Sequence, residues 1–162
     1  MALKELTILL VEDDPVFRKI VTAFLESRGA IVLEADNGEL GLNYFKKQSF
    51  DVVLADLSMP KLGGLEMLKA MNQYSPGTPS IIISGNQAMS DVVDALRHGA
   101  NDYLVKPVAD LFVIENAIKE CVNGTLEESL QIDEFESLSY MELNQNLELL
   151  AQSEQAAKSV QQ

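Results

Sequence analysis

A doubly wound α/β fold, in which five parallel strands alternate with helices as (βα)5, is what the 162 residues predict. Three observations carry that prediction. Five short apolar runs are spaced between residues 6 and 106, and most are continuous, as strands buried on both faces of a parallel sheet are. Stretches between them hold apolar residues at helical spacing. Three of those stretches end at a glycine, the residue that most readily closes a helix in the left-handed conformation.

The elements follow in order. "LTILLV" (6–11) is the first strand, and "EDDP" comes directly after it. Asp14 suits the N-cap of the next helix and Pro15 its first position, where a missing N–H costs nothing. Phe17, Ile20, Val21, Phe24 and Leu25 then keep helical spacing as far as Gly29. "AIVLEA" (30–35), "DVVLAD" (51–56) and "SIIIS" (80–84) are the second, third and fourth strands. Met89, Val92, Val93 and Leu96 mark a helix closed by Gly99, with His98 expected at its solvated outer end. "DYLVK" (102–106) is the fifth strand, and Leu111, Ile114, Ile118 and Val122 mark a last helix running to Gly124. The expected strand order is 2-1-3-4-5, which puts the functional edge at the carboxyl ends of strands 1 and 3, where the order reverses.

Residues 125–162 form a separate segment with no glycine or proline, rich in Glu, Gln, Leu and Ala, and a helical extension is expected there. Tyr140, Leu143, Leu147 and Leu150 alternate spacings of three and four, an a/d seam that Glu154 breaks before Ala157. The segment is therefore read as a dimerising coiled coil over residues 140–157, against an amphipathic helix packed on its own domain or a linker frayed in isolation. The expected division is a domain at 5–123 and an acidic linker at 125–162, with an output domain outside these residues.

Charge and composition exclude several classes. The net charge of −13 opposes direct nucleic-acid binding, which needs Lys and Arg against phosphates. Eight acids against one base in residues 125–162 make the tail the more acidic part. No apolar run is long enough to span a membrane, and "MALKEL" lacks the features of a signal peptide, so a cytoplasmic protein without membrane contact is expected. Cys121 is the only cysteine, which excludes an intrachain disulfide and a multi-cysteine zinc site.

Glu12, Asp13 and Asp14 stand side by side although like charges repel, and Asp14 alone is explained by capping. In the expected fold the strands deliver Glu12 and Asp13 after strand 1, Asp56 at the end of strand 3, Ser84 at the end of strand 4 and Lys106 at the end of strand 5. Three carboxylates converging there make a hard-oxygen pocket suited to Mg²⁺, with Lys106 as a fixed cation beside them. Singly, each residue has an ordinary reading: a turn cap, a loop hydroxyl, a solvated strand-end charge. Together, in chain order and each at a strand's carboxyl end, they make a site.

The stretches "ILLVEDDP", "DVVLADLSMPKLGGLEML", "IIISGN" and "NDYLVKPV" resemble the receiver domain of two-component response regulators, over residues 5–123. That resemblance implies a flavodoxin-like sheet and a signalling phosphoacceptor rather than an enzyme. It implies that Asp56 accepts a phosphoryl group from a phosphohistidine on a sensor histidine kinase or phosphotransfer protein. Asp13 would bind Mg²⁺ directly and Glu12 through water, and the carbonyl of Ser58 would complete the protein ligands. Lys106 and Ser84 would contact phosphoryl oxygens, Tyr103 would turn inward as the serine moves, and the face made by helix 4, strand 5 and helix 5 would carry the change to an output domain or protein effector. Pro107 matches a cis-proline after the lysine. Gly85 stands where alanine is common, and Ser58 and Asn86 occupy positions that tune the phosphoryl lifetime. "VFRKIVTAFLESRGA" and "NDYLVKPVADL", with the acidic helix after them, are similar to the subfamily that delivers a stationary-phase sigma factor to a Clp-type protease, whose relatives carry a PP2C-like phosphatase domain.

Two rival classes are distinguishable. A phosphohydrolase of haloacid-dehalogenase type also uses an aspartyl nucleophile with Mg²⁺, but on the first strand, whereas Asp56 ends the third. A phosphorylation-independent interaction module would have no use for Glu12, Asp13, Asp56, Ser84 and Lys106 together.

Overall fold

The computed structural model describes residues 2–85, 88–128, 145, 147–149 and 151–154, with backbone alone at 125–128. The elements alternate as expected: β1 (Thr7–Val11), α1 (Pro15–Ser27), β2 (Ile31–Ala35), α2 (Gly38–Lys47), β3 (Val52–Ala55), α3 (Gly64–Tyr74), β4 (Ser80–Ser84), α4 (Met89–Arg97), β5 (Asp102–Val105) and α5 (Phe112–Glu128). The strands form one parallel sheet in the order β2-β1-β3-β4-β5.

Burial explains the apolar runs. β3 and β4 are buried along their whole length, and β1 beyond Thr7, because helices cover both faces. The edge strands are less enclosed: Ile31 opens β2 and Val105 ends β5, both exposed. Side chains alternate along β1, sending Ile8 and Leu10 to one face and Leu9 and Val11 to the other. The first face packs on Val21 and Leu25 of α1 and on Ile114, Ala117 and Ile118 of α5. The second packs on Phe45 of α2, on Met67, Leu68 and Met71 of α3, and on Ala95 of α4.

Helix ends follow the sequence signals with one exception. Asp14 caps α1, its side chain accepting from the N–H groups of Val16 and Phe17, and Pro15 opens the helix. Gly29 and Gly99 lie beyond α1 and α4 at φ +98° and +103°, a conformation that glycine adopts without strain. Gly124, in contrast, does not stop α5, which runs on to Glu128. A mid-helix glycine costs only about 1 kcal/mol, and Leu126, Glu127 and Glu128 after it are good helix formers. His98 also differs from expectation: it is half-buried, with Nδ1 2.7 Å from the carbonyl oxygen of Asp94.

One charged group is buried on the α1–α5 side. Glu115 is 2% exposed, accepts from Arg28 Nε at 2.6 Å and Nη2 at 3.2 Å, and lies 3.0 Å from Lys119 Nζ. Arg28 lies over the Phe112 ring at 5.5 Å, and Phe24 meets the same ring edge-on at 5.3 Å. These contacts tie the start of α5 to the end of α1. Among the described residues of the tail, Glu148 pairs with Arg97 at the end of α4, at 2.6 Å. Of the expected seam only Leu147 is described; Tyr140, Leu143, Leu150 and Ala157 lie outside the described residues, as does Asn86. No helix among the described residues is long and apolar enough to cross a membrane.

Replacing Glu115 by Ala is expected to destabilise the fold by about 1–3 kcal/mol at neutral pH, since charge-assisted hydrogen bonds are lost. Arg28, and secondarily Lys119, hold the Glu115 carboxyl below the usual carboxylate range. Its contribution is therefore complete above that range and fades as pH falls through the lowered value. Urea denaturation should find a clear gap between wild type and Glu115→Ala at neutral pH and a narrowed gap in acid.

Candidate functional site

The carboxyl ends of β1 and β3 lie level because Val11 is in register with Ala55. The residue after each strand is an acid, Glu12 and Asp56, and the backbone keeps both in line: Asp56 N–H donates to the Val11 carbonyl at 3.1 Å, and Glu12 N–H to the Ala35 carbonyl at 2.9 Å. One carboxylate oxygen from each of Glu12, Asp13 and Asp56 lies within 4.8 Å of the others. Glu12 and Asp56 are buried and Asp13 is exposed, so the cluster has a closed floor and an open rim.

Burying two carboxylates is costly unless they are paired. The partner is Lys106, whose Nζ donates to Glu12 Oε2 at 2.8 Å and to Asp56 Oδ2 at 3.0 Å. Lys106 follows β5, so its stem must pass β4 to reach β3 and β1, and Lys106 N–H donates to the Ser84 carbonyl at 2.9 Å. The remaining oxygens have backbone donors: Asp14 N–H to Glu12 Oε1 at 3.1 Å, and Ser58 N–H to Asp56 Oδ1 at 3.2 Å. Burial alone would lower the Lys106 ammonium, but hydrogen bonds to Glu12 and Asp56 outweigh it and hold the group above its ordinary value. Lys106 thus stays charged throughout the neutral range. Burial pushes Glu12 up, opposed in part by Lys106 and the Asp14 N–H.

The other expected site residues stand nearby. Ser84 is buried at the end of β4, and Tyr103 is half-buried on the neighbouring strand β5. Burial raises the Tyr103 phenol above its ordinary value, opposed in part by the Ser84 side chain. The Lys106–Pro107 peptide is cis. Ser58 lies in the loop that leaves Asp56, and this loop is tightly folded. Leu62 N–H donates to the Pro60 carbonyl across Lys61, which has φ +68°, and Gly64 N–H returns to the Leu57 carbonyl at 2.9 Å. A β-carbon on Gly64 would collide with the carbonyl oxygen of Asp56. That contact explains the glycine eight residues past the acid.

Two residues at this site were not singled out by sequence. Arg18 donates from Nη1 to the Glu12 carbonyl at 2.7 Å, with Nε 3.9 Å from Glu34. The Phe17 ring centroid is 4.5 Å from Lys106 Nζ. Helical spacing assigns Phe17 to the core face of α1, and it does pack there. The available signal was proximity in sequence: with the cap at Asp14, the first turn of α1 overhangs the end of β1.

The donor set is three hard carboxylate oxygens, with neither imidazole nor thiolate in the cluster, and it fits a hard divalent cation. The family description "Response regulator receiver domain" matches residues 8–119. The chain belongs to this family. Among curated relatives, the receiver is 33% identical over 131 residues to "Regulator of RpoS" of Escherichia coli K12, covering 81% of this chain and 39% of that protein. It is 31% identical over 129 residues to "Transcriptional regulatory protein GlrR" of the same organism, covering 80% and 28%. The chain thus spans less than half the length of these relatives. Among solved structures, it superimposes on a CheY-like receiver domain from Methanospirillum hungatei with TM-score 0.74 at 28% identity, covering 77% of this chain and 99% of that one. The receiver domain of the Pseudomonas aeruginosa histidine kinase PA1611, solved with magnesium in its active-site cleft, matches at TM-score 0.68 and 27% identity, covering 74% and 98%.

In this receiver, Gly64→Ala is expected to destabilise the fold by about 1–3 kcal/mol, because backbone must move to admit the methyl group. The displaced Asp56 should also weaken divalent-cation binding. Thermal unfolding and Mg²⁺ titration of the same variant check both effects.

Proposed function

We propose that this receiver is a phosphorylation-driven switch charged at Asp56 by a sensor histidine kinase or phosphotransfer protein in the cytoplasm. The observation that carries the reading is Asp56 on the cluster floor, one oxygen on Lys106 and the other on a backbone N–H. A carboxylate oxygen of Asp56 attacks phosphorus, the bond from phosphorus to the histidine nitrogen breaks, and the departing imidazole keeps that electron pair. The product is an aspartyl phosphate. Glu12, Asp13, Asp56 and the Ser58 carbonyl would hold Mg²⁺, whose contribution when bound is to neutralise charge on the phosphoryl oxygens. Lys106 neutralises a second oxygen and the Ser84 hydroxyl meets a third, because phosphoryl transfer is catalysed mainly by positioning and charge.

Ser84 and Tyr103 carry the change outward. The Ser84 side chain acts on the Tyr103 phenol of β5, so a serine drawn toward the phosphoryl group alters what the phenol meets. The face of α4, β5 and α5 then differs between the two states. Domain 5–123 acts as the switch and 125–162 as the linker to an output domain or protein effector. Similarity to a regulator of RpoS supports an effector reached by protein contact, with sigma-factor proteolysis or a PP2C-like output as the specific candidates.

The Arg97–Glu148 ion pair favours a tail packed on α4 of its own domain over the dimeric coiled coil suggested by heptad spacing. Leu147, Glu148 and Ala151 are half-buried on one side of the tail helix, while Leu149, Gln152, Ser153 and Glu154 are exposed. In that arrangement the tail reads α4 directly.

Incubation with acetyl phosphate and Mg²⁺ should add one hydroxylamine-sensitive phosphoryl group to the wild-type mass. Asp56→Asn should abolish it while the fold survives, and Asp13→Ala should lose most of it along with Mg²⁺ affinity. Stoichiometric labelling of Asp56→Asn at another residue would overturn the assignment. Sedimentation of the full chain separates the two tail readings. A packed tail leaves a monomer at low and high salt, whereas a coiled coil gives a dimer that strengthens with salt as the repulsion of an acidic chain is screened.

A further inference from the structure

We infer that Phe17 is a positioning residue for Lys106: its ring face is the third partner of an ammonium whose other two are the carboxylates of Glu12 and Asp56. This role goes beyond the phosphoacceptor reading but rests on it.

An ammonium has three N–H donors and no acceptor. At Lys106 two are directed to Glu12 Oε2 and Asp56 Oδ2, and Nζ lies 4.5 Å from the Phe17 ring centroid. Those three partners lie just after β1, just after β3 and in α1, so the head group is held from three sides although its stem starts just after β5. A lysine stem has four flexible carbons, and ordering it is entropically costly. The ring reduces the number of places the head group can occupy.

The ring differs in kind from the two carboxylates. Its quadrupole attracts the cation without adding negative charge to a site that must receive an anionic phosphoryl group. When phosphorylation changes the acceptor that Asp56 presents, the ammonium must turn toward a phosphoryl oxygen. Phe17 lets it do so while remaining over the site. The ring is itself set in place by the third acid of the "EDD" run: Asp14 Oδ1 accepts from Val16 N–H at 3.0 Å and Phe17 N–H at 3.5 Å, which fixes the first turn of α1. Asp14 thus acts on Asp56 through Phe17 and Lys106.

A double-mutant cycle on the full chain tests this. Phosphorylation of Asp56 by acetyl phosphate with Mg²⁺ is followed by intact mass in wild type, Phe17→Leu, Phe17→Tyr, Lys106→Ala and the Phe17→Leu, Lys106→Ala double variant. Leucine keeps an apolar side chain in the core but removes the ring face. Phe17→Leu is expected to slow labelling about fivefold, the size of an ordinary cation–π contact. Phe17→Tyr should restore the rate to within about twofold, since it restores the ring. In the Lys106→Ala background Phe17→Leu should have no further effect. The Lys106 ε-methylene protons should be shifted upfield by the ring in wild type and Phe17→Tyr and lose that shift in Phe17→Leu. An equal slowing by Phe17→Leu in both backgrounds, or no slowing at all, overturns the positioning role and leaves Asp56 as the acceptor. A wild-type protein that takes no label overturns both.

Discussion

One ammonium between two buried carboxylates organises this protein. Glu12 and Asp56 end neighbouring strands and would repel each other in an apolar setting, and Lys106 bridges them at 2.8 and 3.0 Å. Its stem reaches from β5 past β4 to β3 and β1, so the bridge also joins distant parts of the sheet. Loss of either carboxylate's charge, or gain of a phosphoryl group, changes what the lysine holds. A switch needs such an element, whose partners change while the scaffold does not.

The scaffold is tied together on one face of the sheet. α1 and α5 are clamped by Arg28, Glu115, Lys119 and the Phe24–Phe112 pair, on the face away from α4. The side chains of Asp14 and Asn37 cap α1 and α2. The tail touches the fold on the other face, at Arg97 of α4.

Backbone geometry accounts for residues that chemistry alone would not require. Gly64 is needed because the loop from Asp56 doubles back until the glycine lies against the Asp56 carbonyl. Asp14 is needed as a cap rather than as a ligand. The "EDD" run is thus three acids with three tasks: Glu12 pairs with lysine on the floor, Asp13 stands at the open rim, and Asp14 starts the helix that carries Phe17 and Arg18.

Sequence by itself determined the strand and helix order, because burial on both faces of a parallel sheet demands continuous apolar runs and because caps and glycines mark helix ends. It also determined which acids and lysine meet, since every strand of such a sheet delivers its carboxyl end to one edge. Other features were not legible. Gly124 has the composition of a stop, but only the chain's path decides that α5 continues. Phe17 reads as an ordinary core residue, and helical spacing says nothing of Arg18. Only tertiary structure puts the ring 4.5 Å from Lys106 Nζ and the guanidinium on the Glu12 carbonyl, 89 and 6 residues away along the chain. Periodicity records which face of a helix is apolar, whereas the partner that a face meets depends on how strands far apart in sequence are brought into register.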